Sequence, residues 1–380
     1  MNDLRVAHVV RDHGGLTEPF IHHRLLASAG LPAAELWTER TSGGSPLPVR
    51  QVDLPRMAPG SLTDRAFHRV PVIGPPLAAG YRNAEVAFAP SVIHAHYATT
   101  GYLIGETTHT PLVVNTYGFD VTILSRRRLW RRAYRRLADR AAAIIVEGPT
   151  MADSARALGF RSDRVVIIPI AAGLGSIEFR ATVPVAPLRL LACGRFVEKK
   201  GHDQAIMAFA RLAPELPADS ELVIIGDGPL RPDLERLALA QSSAGCIRFT
   251  GAVPRPAFLD ELRRSHLFLA PSRTARNGDG EGGAPTTILD AQAVGVPVVA
   301  STHADIPYLV ADGTTGFLAR EGDVASLVHT IRRALEARPQ WLGLTQVARR
   351  ATLDRNGDDT VRRQLLDLYA RVLATQRTSR

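Results

Sequence analysis

At 380 residues with 45% hydrophobic content, the chain has material for two or three domains with buried cores, and no run of about 18 uninterrupted apolar residues is present to form a transmembrane helix. A net charge of +9 with a pI near 10.2 points to an anionic partner, a polyanion or a membrane surface. The two cysteines, Cys193 and Cys246, stand alone, which excludes a disulfide framework and gives no support to a zinc site, so no metal or other cofactor is expected. Every one of the 46 basic residues is arginine except the adjacent Lys199 and Lys200. A compact ammonium on a flexible stem differs from a planar fork, so this pair is read as a place that needs lysine itself.

The N-terminus enters an apolar strand, Leu4 to Val10, without a signal-peptide profile, and a cytoplasmic location is expected. The loop Arg11-Asp-His-Gly14-Gly15 and a helix opening in Thr17-Glu18-Pro-Phe-Ile21 then give the strand, glycine turn and helix that begin a doubly wound α/β unit. No Gly-x-Gly-x-x-Gly is present, which removes the main support for a nicotinamide or flavin fold. Residues 41–76, rich in Gly, Pro, Ser and Arg, read as loops and irregular helix. In Ser91-Val-Ile-His94-Ala-His96-Tyr, two alternate histidines end a strand on one face. No third ligand stands at a suitable spacing, so a structural or substrate-contact role is expected rather than a metal.

The strand Leu112 to Asn115 leads to Thr116-Tyr117-Gly-Phe-Asp120, where Asp120 is either a functional polar group or a helix N-cap. Ser125 to Arg140 reads as a helix with Trp130, Tyr134, Leu137 and Ala141 on one stripe and eight arginines on its flanks. No nucleic-acid motif accompanies those arginines; an anionic membrane surface or a solvated face are the two readings. Strands at Ala142 to Val146 and Arg164 to Pro169 close an N-terminal domain of residues 1–170, and 171–187 form a linker.

The C-terminal domain, 188–358, starts with the strand Leu188 to Ala192 and the turn Arg195-Phe-Val-Glu-Lys-Lys200-Gly. Strands Glu221 to Ile225, Ile247 to Thr250 and Leu267 to Ala270 follow, the first ending in Gly226-Asp-Gly228 and opening the helix Leu230 to Ala240. Their ends fall at one edge of a parallel sheet, where α/β ligands bind. The stretch Asn277 to Ser301 then combines a glycine loop, a helix from Thr286 to Val294 started by Pro285 and ended by Gly295, and a buried strand from Val296 to Ala300. Such a loop presents free amides and a positive dipole end to a phosphate, while Glu281 and Asp290 suit sugar hydroxyls, so the unit is shaped for a sugar nucleotide. Helices at Val324 to Ala337 and Asp359 to Ala374 follow, and the helix in 359–380 is expected to cross back onto the N-terminal domain.

Glu281-Gly-Gly-Ala-Pro285, Asp290-Ala-Gln-Ala and Gly295-Val-Pro-Val-Val-Ala-Ser301 resemble the donor signature of the retaining GT-B glycosyltransferases of family 4, or group 1, of colanic-acid and exopolysaccharide type. Pro285 keeps its place five residues before the second acid, but the acids are nine apart rather than eight and the second is Asp rather than Glu. One extra residue is assigned to Gly282, Gly283 and Ala284. The resemblance implies two Rossmann-like parallel-sheet domains facing across a cleft, and transfer of a sugar from a nucleotide-diphosphate sugar such as a UDP-sugar to a hydroxyl of a glycan, lipid-linked or small-molecule acceptor. It also implies retention without a metal.

Carried over residue by residue, Arg195 and Lys200 face the diphosphate, and Glu281 orients donor-sugar hydroxyls. Asp290 takes the ribose, while Gly226, Gly228 and Val253 hold the base. Gly14 and Gly15, with Gly282, Gly283, Ala284, Pro285 and Thr286, complete the donor site, and Thr17, Glu18, His96 and Asp120 lie on the acceptor side. Asp305-Ile-Pro-Tyr-Leu-Val and Asp312-Gly-Thr-Thr-Gly-Phe-Leu match the family's downstream strand and turn. Tyr117 stands where the family usually has histidine; its phenol donates a hydrogen bond but carries no positive charge at neutral pH. The alternatives are a secondary-metabolite glycosyltransferase, a sugar-nucleotide epimerase of the same fold, for which the extra acids and histidines are missing, and a sugar-nucleotide-binding subunit without turnover.

Overall fold

The computed structural model describes residues 4–13, 21, 25, 33–41, 49–54, 62–71, 79–183 and 187–378. Thirteen strands among them form two all-parallel sheets. The first holds β1 (Arg5–His13), β2 (Ala33–Thr41), β3 (Arg50–Asp53), β4 (Val92–His96), β5 (Leu112–Asn115), β6 (Ala143–Val146) and β7 (Val165–Ile167), in the order β3-β2-β1-β4-β5-β6-β7. The second holds β8 (Arg189–Cys193), β9 (Glu221–Ile225), β10 (Ile247–Gly251), β11 (Leu267–Ala270), β12 (Val298–Ser301) and β13 (Phe317–Ala319), in the order β10-β9-β8-β11-β12-β13. Both run outward in both directions from their first strand. The reversal falls between β1 and β4 in one sheet and between β8 and β11 in the other, and this is where doubly wound sheets bind ligands.

The chain divides into domain 1, residues 1–172 with 356–380, and domain 2, residues 173–355. Period-two alternation explains how the first sheet is buried on both faces. Ala7 and Val9 of β1 and Ile93 and Ala95 of β4 pack into one core with Trp37, Tyr102, Trp130 and Tyr134. The alternate positions Val6 and Val92, on the opposite face, join a second core built with the helix Asp358–Thr378, which contributes Val361, Leu365, Leu368, Tyr369 and Val372. Asn356, at the return of the chain, donates from Nδ2 to the Ile170 carbonyl at 2.9 Å.

Several expected elements differ in detail. The polar-rich segment 41–76 contains a strand, β3, and a helix, Leu62–Arg69. β3 escapes a hydrophobic reading because it is a four-residue edge strand with three exposed positions. The arginine-rich helix starts at Arg128 after a 3₁₀ turn at Leu124–Arg126, and its buried stripe is Trp130, Ala133, Tyr134, Leu137 and Ala138. Asp305 to Val310 forms a short helix, Ile306–Leu309, before β13 rather than a strand.

Within the expected linker, Arg180 is anchored in domain 2. The Arg180 backbone N–H donates to the Val294 carbonyl at 2.7 Å, and its guanidinium donates to the carbonyls of Arg263 at 2.9 Å and Gly295 at 3.3 Å. Burial pushes that guanidinium down to about 10. Gly14, Gly15, Thr17 and Glu18 lie outside the described residues.

Candidate active site

In domain 2 the site is assembled from the turns and loops that leave the carboxyl ends of the strands. After β8 the chain makes a 3₁₀ turn at Glu198–Lys200 and enters the helix His202–Leu212 through Gly201, whose φ is 66°. A Cβ there would lie 2.0 Å from the Pro271 carbonyl oxygen, so only glycine lets the turn sit this close to the end of β11. The turn aims both lysines at the glycine loop. Lys199 Nζ lies 3.1 Å from Asp279 Oδ1 and donates to the Gly280 carbonyl at 2.9 Å. Lys200 Nζ lies 2.9 Å from Glu281 Oε2.

Glu281 is fixed from three directions. Its side chain is 6% exposed, and Ser272 Oγ, just beyond β11, donates to Oε1 at 2.6 Å. Its backbone N–H donates to His303 Nε2 at 3.0 Å, and His303 Nδ1 lies 3.1 Å from Glu321 Oε2. Since Nε2 accepts, the ring proton sits on Nδ1 and is donated to Glu321, which also accepts the Thr274 N–H at 2.6 Å. Burial alone would raise the Glu281 carboxyl. The ammonium groups of Lys200 and Lys199 and the Ser272 hydroxyl outweigh it and hold Glu281 below the ordinary carboxylate range, ionised and ready to accept.

Beyond the loop, Gly282, with φ 73°, Gly283 and Ala284 lead to Pro285 and the helix Thr286–Val294, whose first amides are left for a ligand or solvent. Asp290, buried on that helix, is 2.6 Å from Arg255 Nη2. Burial raises its carboxyl against the opposing hydrogen bond and charge of Arg255. Gly226 admits no side chain, because a Cβ would meet the Gly194 carbonyl oxygen at 1.9 Å. Gly228 closes on Phe196, Val253 is half-buried, and Arg195 is exposed.

Domain 1 gathers a different group at its own strand ends. His96 Nδ1 lies 2.6 Å from the Tyr117 hydroxyl, and the two rings are parallel within 4°. The Tyr97 ring meets Tyr117 edge-on at 5.0 Å, from a backbone with φ 74° that a non-glycine residue rarely adopts. His94 Nδ1 lies 2.7 Å from the Tyr369 hydroxyl. The third histidine that sequence spacing failed to supply is His8, which pairs with His94 across β1 and β4 and brings Nδ1 to 3.2 Å from His96 Nε2. Asp120 is fully buried and accepts the N–H of Ala98, at the start of the helix Ala98–Gly105, at 2.8 Å and that of Tyr117 at 3.2 Å. Burial pushes its carboxyl up to about 6.

The structure thus unites Lys200 and Glu281, and Tyr117, His96 and Asp120. It adds Ser272, His303, Glu321 and Arg255, which no motif had marked. The signal for the first three is positional: Ser272 follows β11, His303 follows β12 and Glu321 follows β13, all at the carboxyl edge of the sheet.

Residues 187–337 match the family described as Glycosyl transferases group 1, and residues 8–171 match the Glycosyl transferase 4-like domain. The chain is 33% identical over 186 residues to the amylovoran biosynthesis glycosyltransferase AmsK of Erwinia amylovora, covering 49% of this chain and 45% of that protein. It is 27% identical over 246 residues to the putative colanic acid biosynthesis glycosyltransferase WcaL of Salmonella typhimurium, covering 63% and 60%. The chain therefore spans about half to three-fifths of the length of these curated relatives. Among solved structures, Anabaena HepE in complex with UDP and glucose superposes with a TM-score of 0.74 at 17% identity, over 97% of this chain and 99% of that one, a likeness of fold. With both halves matched and two Rossmann-like domains of the GT-B class, the chain belongs to the group 1, or family 4, glycosyltransferases.

Proposed function

We propose that the protein moves a sugar from a nucleotide-diphosphate sugar to a hydroxyl acceptor, with retention of anomeric configuration, in the assembly of an exopolysaccharide- or lipopolysaccharide-type glycan. The observation that carries this reading is the Lys200–Glu281 ion pair beneath a glycine loop that opens onto a helix N-terminus. It sets a cation and free amides for a diphosphate beside a carboxylate for sugar hydroxyls. The amylovoran and colanic acid relatives, and the UDP and glucose bound to HepE, support it.

In the proposed reaction the bond from the donor's anomeric carbon to the phosphate oxygen breaks, and its electron pair leaves with the nucleoside diphosphate. The acceptor oxygen bonds to that carbon on the same face, and its proton passes to the departing diphosphate. Lys200 exchanges Glu281 for phosphate when the donor enters. It then neutralises the developing charge with Arg195 and the amides of Gly282, Gly283, Ala284 and Thr286, while Pro285 holds the first helical turn. Glu281 accepts from a donor-sugar hydroxyl and Asp290, oriented by Arg255, from the ribose; Gly226, Gly228 and Val253 hold the base. Thr17, Glu18, Tyr117, His96 and Asp120 serve the acceptor side with Gly14 and Gly15 beside the donor, and no metal takes part in the chemistry.

The acceptor is read as lipid-linked. Arg126, Arg127, Arg128, Arg131, Arg132, Arg135 and Arg136 are exposed together with Leu129 and Phe119, a basic and apolar surface suited to anionic lipid. Arg140 is excluded from it, since it donates to the carbonyls of Gly105 at 3.1 Å and Thr110 at 3.2 Å. No helix among the described residues is long and apolar enough to cross a membrane, so binding at the cytoplasmic face would be peripheral. Salt-sensitive binding to anionic vesicles is expected; indifference to them at low salt favours a small secondary-metabolite acceptor.

The deciding experiment is a thermal-shift screen with UDP, GDP and their common sugars, followed by an assay for donor hydrolysis without acceptor. Stabilisation by one nucleotide series with slow hydrolysis supports the reading and names the donor class. No shift with any of them overturns it, and binding without turnover moves the non-catalytic subunit to the front.

A further inference from the structure

We propose that His8, His94 and His96 form a site for one divalent transition metal of the Zn²⁺ and Co²⁺ class, buried between the middle of β1 and the carboxyl half of β4. The His-x-His spacing on β4 sends two imidazoles to one face, and the parallel register sets His8 of β1 directly against His94. All three residues are 1% exposed or less. One ligand nitrogen from each lies within 4.8 Å of the others. His8 Nδ1 and His96 Nε2, at 3.2 Å, already span a distance close to the edge of a tetrahedron with Zn–N bonds of about 2.0–2.1 Å. The His94 ring, stacked on His96 at 4.7 Å, completes the set by a side-chain rotation, and a water takes the fourth position.

The outer nitrogens support this assignment. A histidine that binds metal through one ring nitrogen is usually oriented by a hydrogen bond at the other. Here His94 Nδ1 has the Tyr369 hydroxyl at 2.7 Å and His96 Nδ1 has the Tyr117 hydroxyl at 2.6 Å, which leaves each Nε2 turned to the cluster. An all-imidazole set selects Zn²⁺, Co²⁺, Ni²⁺ or Cu²⁺ over Mg²⁺ and Ca²⁺, which take oxygen ligands. The site belongs to domain 1, whereas Lys200 and Glu281 belong to domain 2, so its role is to tie β1 to β4 and, through Tyr369, to the last helix. His96 and Tyr117 thereby serve this site as well as the acceptor side, while the donor chemistry proposed for Lys200 and Glu281 does not depend on it.

The test uses the untagged full-length chain, stripped with EDTA and titrated with Co²⁺ and then Zn²⁺. One equivalent of Co²⁺ with a visible d–d band, displaced by Zn²⁺, and a higher Tm with either metal are expected. His8→Asn and His94→Gln, checked for folding by circular dichroism, should lose that equivalent, and Tyr369→Phe should keep the stoichiometry with affinity about 10- to 100-fold weaker. Wild-type protein that binds neither metal overturns the proposal. So does an equivalent that persists unchanged in both histidine variants. Because the readout is metal content and spectrum, failure here leaves the glycosyltransferase reading untouched.

Discussion

The two sheets share a strand order and a reversal point, yet their polar groups at that point have opposite character. Domain 1 sets a cluster of rings, three histidines and two tyrosines, along β1 and β4, and buries a carboxyl, Asp120, that is pushed up to about 6. Domain 2 surrounds the ends of β8 and β11 with charges in pairs: Lys200 with Glu281, Lys199 with Asp279 and Arg255 with Asp290. There the central carboxyl, Glu281, is held down instead of up. Topology supplies a place for chemistry, and the side chains decide whether that place suits an anion or a neutral donor and acceptor set.

The sharpest way to break this contrast is to unbalance the charged side. Lys200→Met leaves Glu281 buried with only Lys199 as a nearby ammonium and should lower transfer by about 10²–10³-fold while destabilising domain 2 by about 3–5 kcal/mol. The double variant Lys200→Met/Glu281→Gln should recover part of the stability in urea denaturation and none of the activity. Equal losses in both would mean that the pair is not coupled. Lys200→Arg tests whether the place needs lysine itself, and unchanged kcat would remove that reading.

Trp130→Ala removes a fully buried indole whose Nε1–H donates to the His68 carbonyl at 2.8 Å and whose ring meets Phe67 edge-on. It should cost domain 1 about 3–5 kcal/mol by cavity formation and leave nucleotide binding intact, measured by calorimetric melting with and without nucleotide. A loss of nucleotide affinity would show that the two domains are not energetically separate.

Acid should move the domains in opposite directions. Burial, with the Lys200 ammonium, pushes His202 in domain 2 down to about 4, so the unfolded chain takes up its proton first and stability falls as pH drops from about 6.5 to 4. Asp120 in domain 1 lies at about 6 in the fold and near 3.9 unfolded, so the folded state binds the proton first and stability rises as pH drops through that range. Each effect amounts to roughly 3 kcal/mol at its limit. His202→Gln should flatten the acid loss, and Asp120→Asn should abolish the acid gain, both read from urea midpoints at pH 7 and pH 5.

The smallest expected effect is on the neutral side. Tyr117→Phe deletes the hydroxyl held by His96 and should reduce transfer about tenfold, a loss of about 1.4 kcal/mol in transition-state binding. Unchanged turnover would show that the phenol does not stand in for the family's histidine.

Legibility in the sequence followed the range of the interaction. The helix Thr286–Val294 and its glycine loop were readable because their signals, Pro285 and Gly295, lie within the element itself. β2 was missed because two of its interior positions are carboxylates. Glu39 is neutralised by Arg11 at 3.1 Å and bonded by the Tyr81 hydroxyl at 2.7 Å, and Glu35 accepts from Trp37 Nε1 at 2.9 Å; Arg11 and Tyr81 lie outside any local window. The same applies to His8, which meets His96 from 88 positions away through sheet register, and to Arg255, 35 positions from Asp290. Glu281 and Lys200 were found, but the His303–Glu321 relay that orients the loop was not, since neither residue carries a motif.

The return of the chain into domain 1 bears on how the protein is made. Residues 173–355 are contiguous and emerge from the ribosome as a complete domain, free to fold at once. Domain 1 is held open: the sheet face formed by Val6, Val92, Val113 and Ile145 lacks its cover until Val361 to Val372 have been translated. The half that is synthesised first is therefore the half that finishes last. A chain stopped between residues 355 and 361 would carry a mature second domain and an uncovered apolar sheet, a ready substrate for chaperones or for aggregation.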